Sequence, residues 1–270
     1  MLRRTRLGKG FIAAAVLALA AAAAPLTAAH AGEPAYHFGF KKSRNGEPAS
    51  IAEEPFRPLI EKHHALFIGD AAGKALYLTF DNGYENGFTP AILDVLRDKN
   101  VPAVFFVTGQ FASEQPELMR RMVSEGHLIG NHSWSHPDLT TVSDARLKEE
   151  LERVERKVAA ETNQKTTVFL RPPRGIFNDR TLAVSGKLGY VNVFWSVAYA
   201  DWDTKRQRGA DYAFREVAGQ LHPGAIILLH AVSKDNAEAL GRIIDHARSL
   251  GYEFRRLDTL LLPEAARPAS

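Results

Sequence analysis

Ala75-Leu76-Tyr77-Leu78-Thr79-Phe80, followed at once by Asp81-Asn82-Gly83-Tyr84-Glu85, decides how this 270-residue chain is read. Six residues that are apolar, aromatic or β-branched make a run of strand length. The run ends in ionisable and turn-forming residues. The same pattern recurs downstream. Further strands are expected at Ala103–Thr108, Leu128–Asn131, Thr167–Leu170, Val191–Val197 and Ala225–Leu229, with a last one near Tyr252–Leu257.

Stretches of helical period lie between them: Phe88–Lys99, Pro116–Glu125, Ser143–Thr162, Asp179–Leu188, Asp211–Leu221 and Asp235–Leu250. Ser143 and Asn178 or Asp179 suit capped starts. The helix from Ser143 sets Leu147, Leu151, Val154 and Val158 on one face. Strands alternating with helices predict an α/β fold, with parallel strands joined by right-handed crossovers. About seven such units fit either an open doubly wound sheet or a (β/α) barrel. No G-x-G-x-x-G or G-x-x-x-x-G-K-[ST] loop is present, which argues against a nucleotide-binding fold.

Upstream, Pro34, Pro48, Pro55 and Pro58 interrupt residues 32–73, predicting an extended N-terminal arm with one helix near Pro58–His64. Residues 1–31 read as a secretory signal peptide. Arg3, Arg4, Arg6 and Lys9 precede an apolar run from Phe11 to Ala24, and Ala29-His30-Ala31 offers a cleavage site. That run has 14 residues, against the roughly 20 that span a bilayer. The expected domains are thus a signal at 1–31, an arm at 32–73, a catalytic domain at 74–262 and a tail at 263–270.

The whole chain carries 34 Lys+Arg against 31 Asp+Glu, formally +3. Residues 1–31 hold four of the basic residues and no acidic one, so the exported chain is near −1. No nucleic-acid partner is expected from such a balance. No stable membrane partner is expected either, and the chain reads as a monomer. There is no cysteine, which excludes thiol nucleophiles, disulfides and thiolate metal sites.

Chemistry collects after the strands, where α/β barrels place it. The first strand is followed by Asp81, the third by His132-Ser133-Trp134-Ser135-His136, the fourth by Arg171-Pro172-Pro173-Arg174-Gly175 and the fifth by Asp201-Trp202-Asp203. The sixth runs into His230. His132 and His136 are four apart, a spacing at which two imidazoles can share a metal from one helical turn. Asp81 is a candidate base or ligand, and Arg171 a cation able to hold it ionised. Asp201 can orient His230 or pair with Arg171. Together these groups describe a base, an acid and a site that polarises a carbonyl.

Thr79-Phe80-Asp81-Asn82-Gly83, His132–His136, Arg171–Gly175, Asp201-Trp202 and Leu228-Leu229-His230 resemble, in order, the five motifs of the polysaccharide deacetylases. These carry the NodB homology domain and form the fourth carbohydrate esterase family. The resemblance covers roughly residues 74–260. It implies a distorted (β/α) barrel of about seven parallel strands with an N-terminal arm, and hydrolysis of an N-acetyl amide. By position it makes Asp81 the base, His230 the acid that protonates the leaving amine, Arg171 the residue that positions Asp81, and Asp201 the one that tunes the histidine or the arginine. His132 and His136 become metal ligands, Trp202 a wall of the site and Tyr84 a substrate contact. The oxyanion would face the metal and a backbone N–H near Arg174.

Two positions depart from the family pattern. Asn82 stands where a second Asp usually completes the metal site, so a divalent cation, zinc or similar, is expected to be weakly held. Arg174 stands where an aromatic is usual, and a cation there suits an anionic substrate group. Both departures, with Tyr84-Glu85-Asn86-Gly87, Gly39–Ser43, Phe194–Ala198 and Val232–Leu240, resemble the PdaA-type subgroup of sporulation deacetylases. That subgroup implies N-acetylmuramic acid in peptidoglycan as substrate. It also implies a place in forming the muramic δ-lactam of spore cortex, and a secreted or cell-wall location after cleavage near Ala31. The alternatives are de-N-acetylation of N-acetylglucosamine in peptidoglycan or chitin oligomers, xylan acetyl-ester hydrolysis, an inactive glycan-binding domain and a structural wall protein.

Other residues take plainer readings. His63 and His64 are expected in solvent, His222 in a turn, and the charges of 146–157 on a solvated helix face. Trp134 is expected to support its loop or pack under a sugar.

Overall fold

The structure, a computed structural model, describes residues 33–263. The signal expected at 1–31 and residues 264–270 of the expected tail lie outside the described residues.

In chain order the elements are β1 (Tyr36–His37), α1 (Arg57–Lys62), β2 (Ala75–Asn82), α2 (Thr89–Asp98), β3 (Ala103–Val107), α3 (Gly109–Glu114), α4 (Pro116–Ser124), β4 (Leu128–Asn131), α5 (Asp144–Glu161), β5 (Phe169–Leu170), β6 (Ile176–Phe177), α6 (Asp179–Lys187), β7 (Val191–Asn192), α7 (Ala210–Ala218), β8 (Ile226–His230), α8 (Lys234–Ser249) and β9 (Glu253–Phe254). The strands run parallel in the order β7-β5-β4-β3-β2-β8, with β9 also pairing β2.

This is the distorted (β/α) barrel with an N-terminal arm. The expected strand Val191–Val197 is split. Its first two residues pair β5, and Val197 forms a bridge to Ile227 in β8. Between them the arm fills the seam. Leu66 N–H donates to Asn192 O at 2.8 Å and Leu66 O accepts from Phe194 N at 2.6 Å. Open strand edges need partners, and the arm provides them here, with Leu66 bridging Val193 and Ile68 bridging Ala225. Short α3, absent from the sequence reading, starts at Thr108, whose side chain accepts from Phe111 N.

Side-chain alternation decides where the chemistry goes. In β2, Leu76, Leu78 and Phe80 pack outward with Leu93 of α2 and Ile243 of α8. Ala75 and Tyr77 pack inward with Phe106, Phe169, Val193 and Ile226. Thr79 and Asp81 follow the inward parity. The same rule turns His132 inward after β4, Arg171 inward after β5 and His230 inward at the end of β8. Gly130 is the inward residue before His132, and it is small for a reason. A Cβ there would sit 2.5 Å from the Phe106 ring, which lies 4.2 Å under the Arg171 guanidinium.

The arm packs its own aromatic cluster on the barrel. Phe38 stacks on Phe194 with ring centroids 4.4 Å apart, and its N–H donates to Gly175 O at 2.8 Å. Two smaller expectations are corrected, for His63 and Glu150. His63 is partly buried against Asp179 rather than solvated. His222 stands in a turn as expected, closed by Ala225 N–H donating to His222 O at 3.2 Å, and it is fully buried there with Nδ1 donating to Pro223 O at 2.8 Å. On α5, Glu150 is buried rather than solvated, because it turns back onto the loop before the helix.

Candidate active site

A cleft of about 460 Å³ opens at the carboxyl ends of the strands. It is lined by Asp81, His132, His136, His230, Tyr84, Arg174, Trp195, Trp202 and neighbours. The structure therefore brings together most of the candidate residues.

Asp81 Oδ1 lies 2.7 Å from Arg171 Nη1, and its Oδ2 lies 3.6 Å from His132 Nε2. Arg171 is fully enclosed. It also donates to Thr79 Oγ1 at 2.9 Å, Val193 O at 3.2 Å and Phe194 O at 3.3 Å. Five donors in a rigid fork allow this where a lysine could not. Burial pushes the Asp81 carboxyl up. Arg171 first, then His132 and His230, outweigh it and hold the carboxyl below the usual range.

His132 Nδ1 faces Arg171 O at 2.8 Å. A carbonyl only accepts, so Nδ1 carries the proton and Nε2 presents a lone pair to the cleft. Burial holds the His132 ring below its ordinary pKa and takes His136 down to about 4. Both are neutral near pH 7. The four-residue spacing is realised in a loop and not, as the spacing alone suggested, in a helical turn. Ser133 and His136 take φ of 62° and 56°. Asn131 Oδ1 accepts from Ser133 N at 2.9 Å. Glu150 accepts from Ser135 N and Oγ, both at 2.7 Å, so α5 holds the loop shut from behind. Trp134 supports the same loop: it packs against Gly109 with Arg153 4.2 Å over its ring.

Asn82, next to Asp81 in β2, is fully buried. Its Nδ2 donates to Thr89 Oγ1 at 3.3 Å, and its Oδ1 has no hydrogen-bond partner among the described residues. Those residues contain no group of three His, Cys, Asp or Glu placed to hold a metal. The cleft offers two neutral imidazoles, while the unpaired amide oxygen of Asn82 is enclosed and does not line it. Two imidazoles are donors suited to a divalent cation such as zinc, whose sites normally add a carboxylate or a thiolate.

Beside Asp81, as its register partner on the neighbouring strand β8, His230 places Nδ1 2.7 Å from Asp201 Oδ1, and its backbone N–H donates to Asp201 Oδ2 at 2.7 Å. Asp201 thus pairs with His230, not with Arg171. Burial pushes the His230 ring down, but the Asp201 carboxylate more than offsets this and holds its pKa above the ordinary value. Trp202 is 59% exposed with its ring centroid 6.0 Å from that of His230, and Tyr84 is also exposed. Arg174 takes φ of 58° in the turn Pro173–Gly175. Its side chain is half exposed, with Asp138 Oδ2 4.0 Å away.

The sequence reading missed four groups that shape the site: Thr79 under Arg171, Glu150 behind the histidine loop, and Tyr199 and Asn236 around Asp201. Asn236 lies in the segment Val232–Leu240 that resembles the subgroup. Thr79 stands at the head of the first motif; Glu150 and Tyr199 carry no local signal.

Residues 68–193 match the model of the polysaccharide deacetylases. The peptidoglycan-N-acetylmuramic acid deacetylase PdaA of Bacillus subtilis is 47% identical over 231 residues, 86% of this chain and 88% of its own length. Its solved structure, described as a family 4 carbohydrate esterase, superposes with a TM-score of 0.82 over 84% of this chain and 97% of its own. A chitooligosaccharide deacetylase of a Bradyrhizobium strain is 38% identical over 207 residues, 71% of this chain and 93% of its own length. A strand-end Asp–Arg pair, a His–Asp pair on the neighbouring strand end and this breadth of likeness leave one assignment: the chain belongs to the polysaccharide deacetylases of carbohydrate esterase family 4, hydrolases of amide bonds.

Proposed function

We propose that this enzyme removes the acetyl group from N-acetylmuramic acid in peptidoglycan, a step toward the muramic δ-lactam of spore cortex. The single observation that carries the choice of sugar is Arg174. It is a half-exposed cation on the cleft wall whose nearest carboxylate is 4.0 Å away. N-acetylmuramic acid differs from N-acetylglucosamine by a lactyl group, which ends in a carboxylate where no stem peptide is attached. An arginine fork suits that group. The breadth of likeness to a relative named for this substrate supports the same choice.

In this reading Asp81 takes the proton of the attacking water, and Arg171 keeps the carboxylate ionised and aimed. Oxygen adds to the acetyl carbon, and His230 delivers a proton from Nε2 to the amide nitrogen as the C–N bond breaks. Acetate and a free amine leave. His132 and His136 would hold a divalent cation, whose charge stabilises the developing oxyanion. Trp202 and Tyr84 wall the sugar. The enzyme works outside the cell after loss of residues 1–31, as a monomer with an arm at 32–73 and a catalytic domain at 74–262. Its partner is the glycan strand.

A second reading, N-acetylglucosamine as substrate, is favoured by the chitooligosaccharide deacetylase relative. Mass spectrometry of muropeptides after incubation separates the two. Replacement of one acetyl group by hydrogen on the muramic residue, read as the corresponding mass loss, supports the proposal. Loss from glucosamine alone overturns it. An inactive glycan-binding domain is excluded when release of acetate is seen in the wild type and is absent from Asp81→Ala.

A further inference from the structure

Asp201 accepts a third hydrogen bond that the acid–base roles alone do not require. Asn236, in the first turn of α8 and fully buried, donates from Nδ2 to Asp201 Oδ2 at 2.6 Å and to His230 O at 3.1 Å. Its Oδ1 accepts from the Tyr199 hydroxyl at 2.5 Å. The two ends of an amide are alike in shape, so partners decide which way it points. Tyr199 is buried, which pushes its pKa up and keeps the phenol a donor. A donor on one end leaves the NH2 end for Asp201.

The loop that carries Asp201 is also tied to the start of α8. Ser233 Oγ donates to Gln207 Oε1 at 2.7 Å, and Asp235 Oδ2 accepts from Arg208 N at 2.6 Å and Gly209 N at 2.7 Å. Asn236 closes this set of ties at the carboxylate itself. With His230 Nδ1, His230 N and Asn236 Nδ2 as donors, Asp201 has one orientation in which all three bonds form. In it the ring proton sits on Nδ1 and Nε2 points into the cleft.

We propose that Asn236, oriented by Tyr199, is a positioning residue that locks Asp201 and so aims His230 Nε2 at the leaving nitrogen. The proposal rests on the reading of His230 as the acid. A buried hydrogen bond left half unmade weakens the state that needs it, and here that state is the aligned His–Asp pair.

The test uses the full chain and four variants: Tyr199→Phe, Asn236→Ala, Asn236→Asp and His230→Ala. Acetate release is followed on purified peptidoglycan and on chitin oligomers, whichever turns over faster. The low-field Nδ1–H proton resonance of His230 reports the bond to Asp201 without any need for turnover. Tyr199→Phe lowers kcat about tenfold and Asn236→Ala about a hundredfold, with KM within about twofold of wild type. Both lose the low-field resonance. Asn236→Asp restores the resonance and brings kcat to within about fivefold, because a carboxyl pressed against Asp201 keeps its proton and donates as the amide did.

Wild-type kcat with an intact resonance in Tyr199→Phe and Asn236→Ala overturns the proposal. So does failure of Asn236→Asp to restore either readout. Where Asn236→Ala does not fold, Tyr199→Phe decides alone, since it deletes a single hydroxyl. Undiminished turnover in His230→Ala overturns the acid assignment instead, and the resonance still reports whether Asn236 sets the geometry.

Discussion

Asp201 grips His230 twice: Oδ1 meets the ring Nδ1 and Oδ2 meets the backbone N–H, each at 2.7 Å. Two bonds to one residue fix both the tautomer and the tilt of the imidazole. They also set its charge, since the carboxylate favours imidazolium over the neutral ring that burial prefers.

The pH profile follows from the signs. His230 must be protonated to act as acid, and its pKa is raised, so the alkaline limb of kcat/KM lies above the ordinary histidine value. Asp81 must be ionised, and its pKa is lowered, so the acid limb lies below the ordinary carboxylate value. The same shifts act on stability. The His230 contribution is fully present below the unfolded histidine pKa and is lost as pH rises through the folded one. The Asp81 contribution is present above the unfolded carboxylate pKa and is lost as pH falls through the folded one. Rate profiles and thermal melts across pH check both. An alkaline limb below the ordinary histidine value contradicts the His230–Asp201 pairing.

Arg171→Met leaves the Asp81 carboxylate buried without its cation. Breaking such a pair costs about 3–5 kcal/mol. Arg171→Met/Asp81→Asn, which removes both charges, recovers a large part of that loss. Chemical denaturation of the wild type, the two single variants and the double variant forms the cycle that measures the coupling. Additive effects show that the two side chains do not interact.

Arg174→Tyr removes a half-exposed cation, held only loosely by Asp138 at 4.0 Å, from the cleft wall. Activity on muramic glycans without stem peptides falls by about tenfold or more relative to glucosamine glycans, the scale of one charge-assisted contact. Competition assays on mixed glycans read the ratio directly. An unchanged ratio removes Arg174 from substrate choice.

Asn82→Asp supplies the carboxylate that zinc sites commonly use. Zinc affinity rises by about tenfold or more, within the range over which a site's surroundings tune a metal. Isothermal titration of the metal-free protein measures it near pH 7, where His132 and His136 are neutral. Equal affinity in the two proteins shows that position 82 is not a ligand.

Much of this was legible in the chain itself, and for local reasons. Apolar runs of strand length alternating with helical stretches specify parallel strands, and an ionisable residue at the end of each run marks the working face. Period-two alternation then explains why Asp81 faces inward while Asn82, one residue on, bonds to Thr89. Helix bounds followed from caps such as Ser143 and Asn178, whose side chains accept from Arg146 N and Thr181 N.

What the sequence by itself determined is therefore the order of elements, the inward parity and the set of chemical groups. Tertiary structure alone decided how those groups meet. Arg171 reaches Asp81 across 90 residues of chain, and Asn236 reaches Asp201 across 35. The loop of His132 and His136 takes its shape from Glu150 on the next helix, not from helical spacing. The barrel seam is filled by the arm through Leu66. Each of these is a contact between segments whose local patterns carry no trace of one another. Such contacts arise only when the curled sheet brings the segments within hydrogen-bond distance.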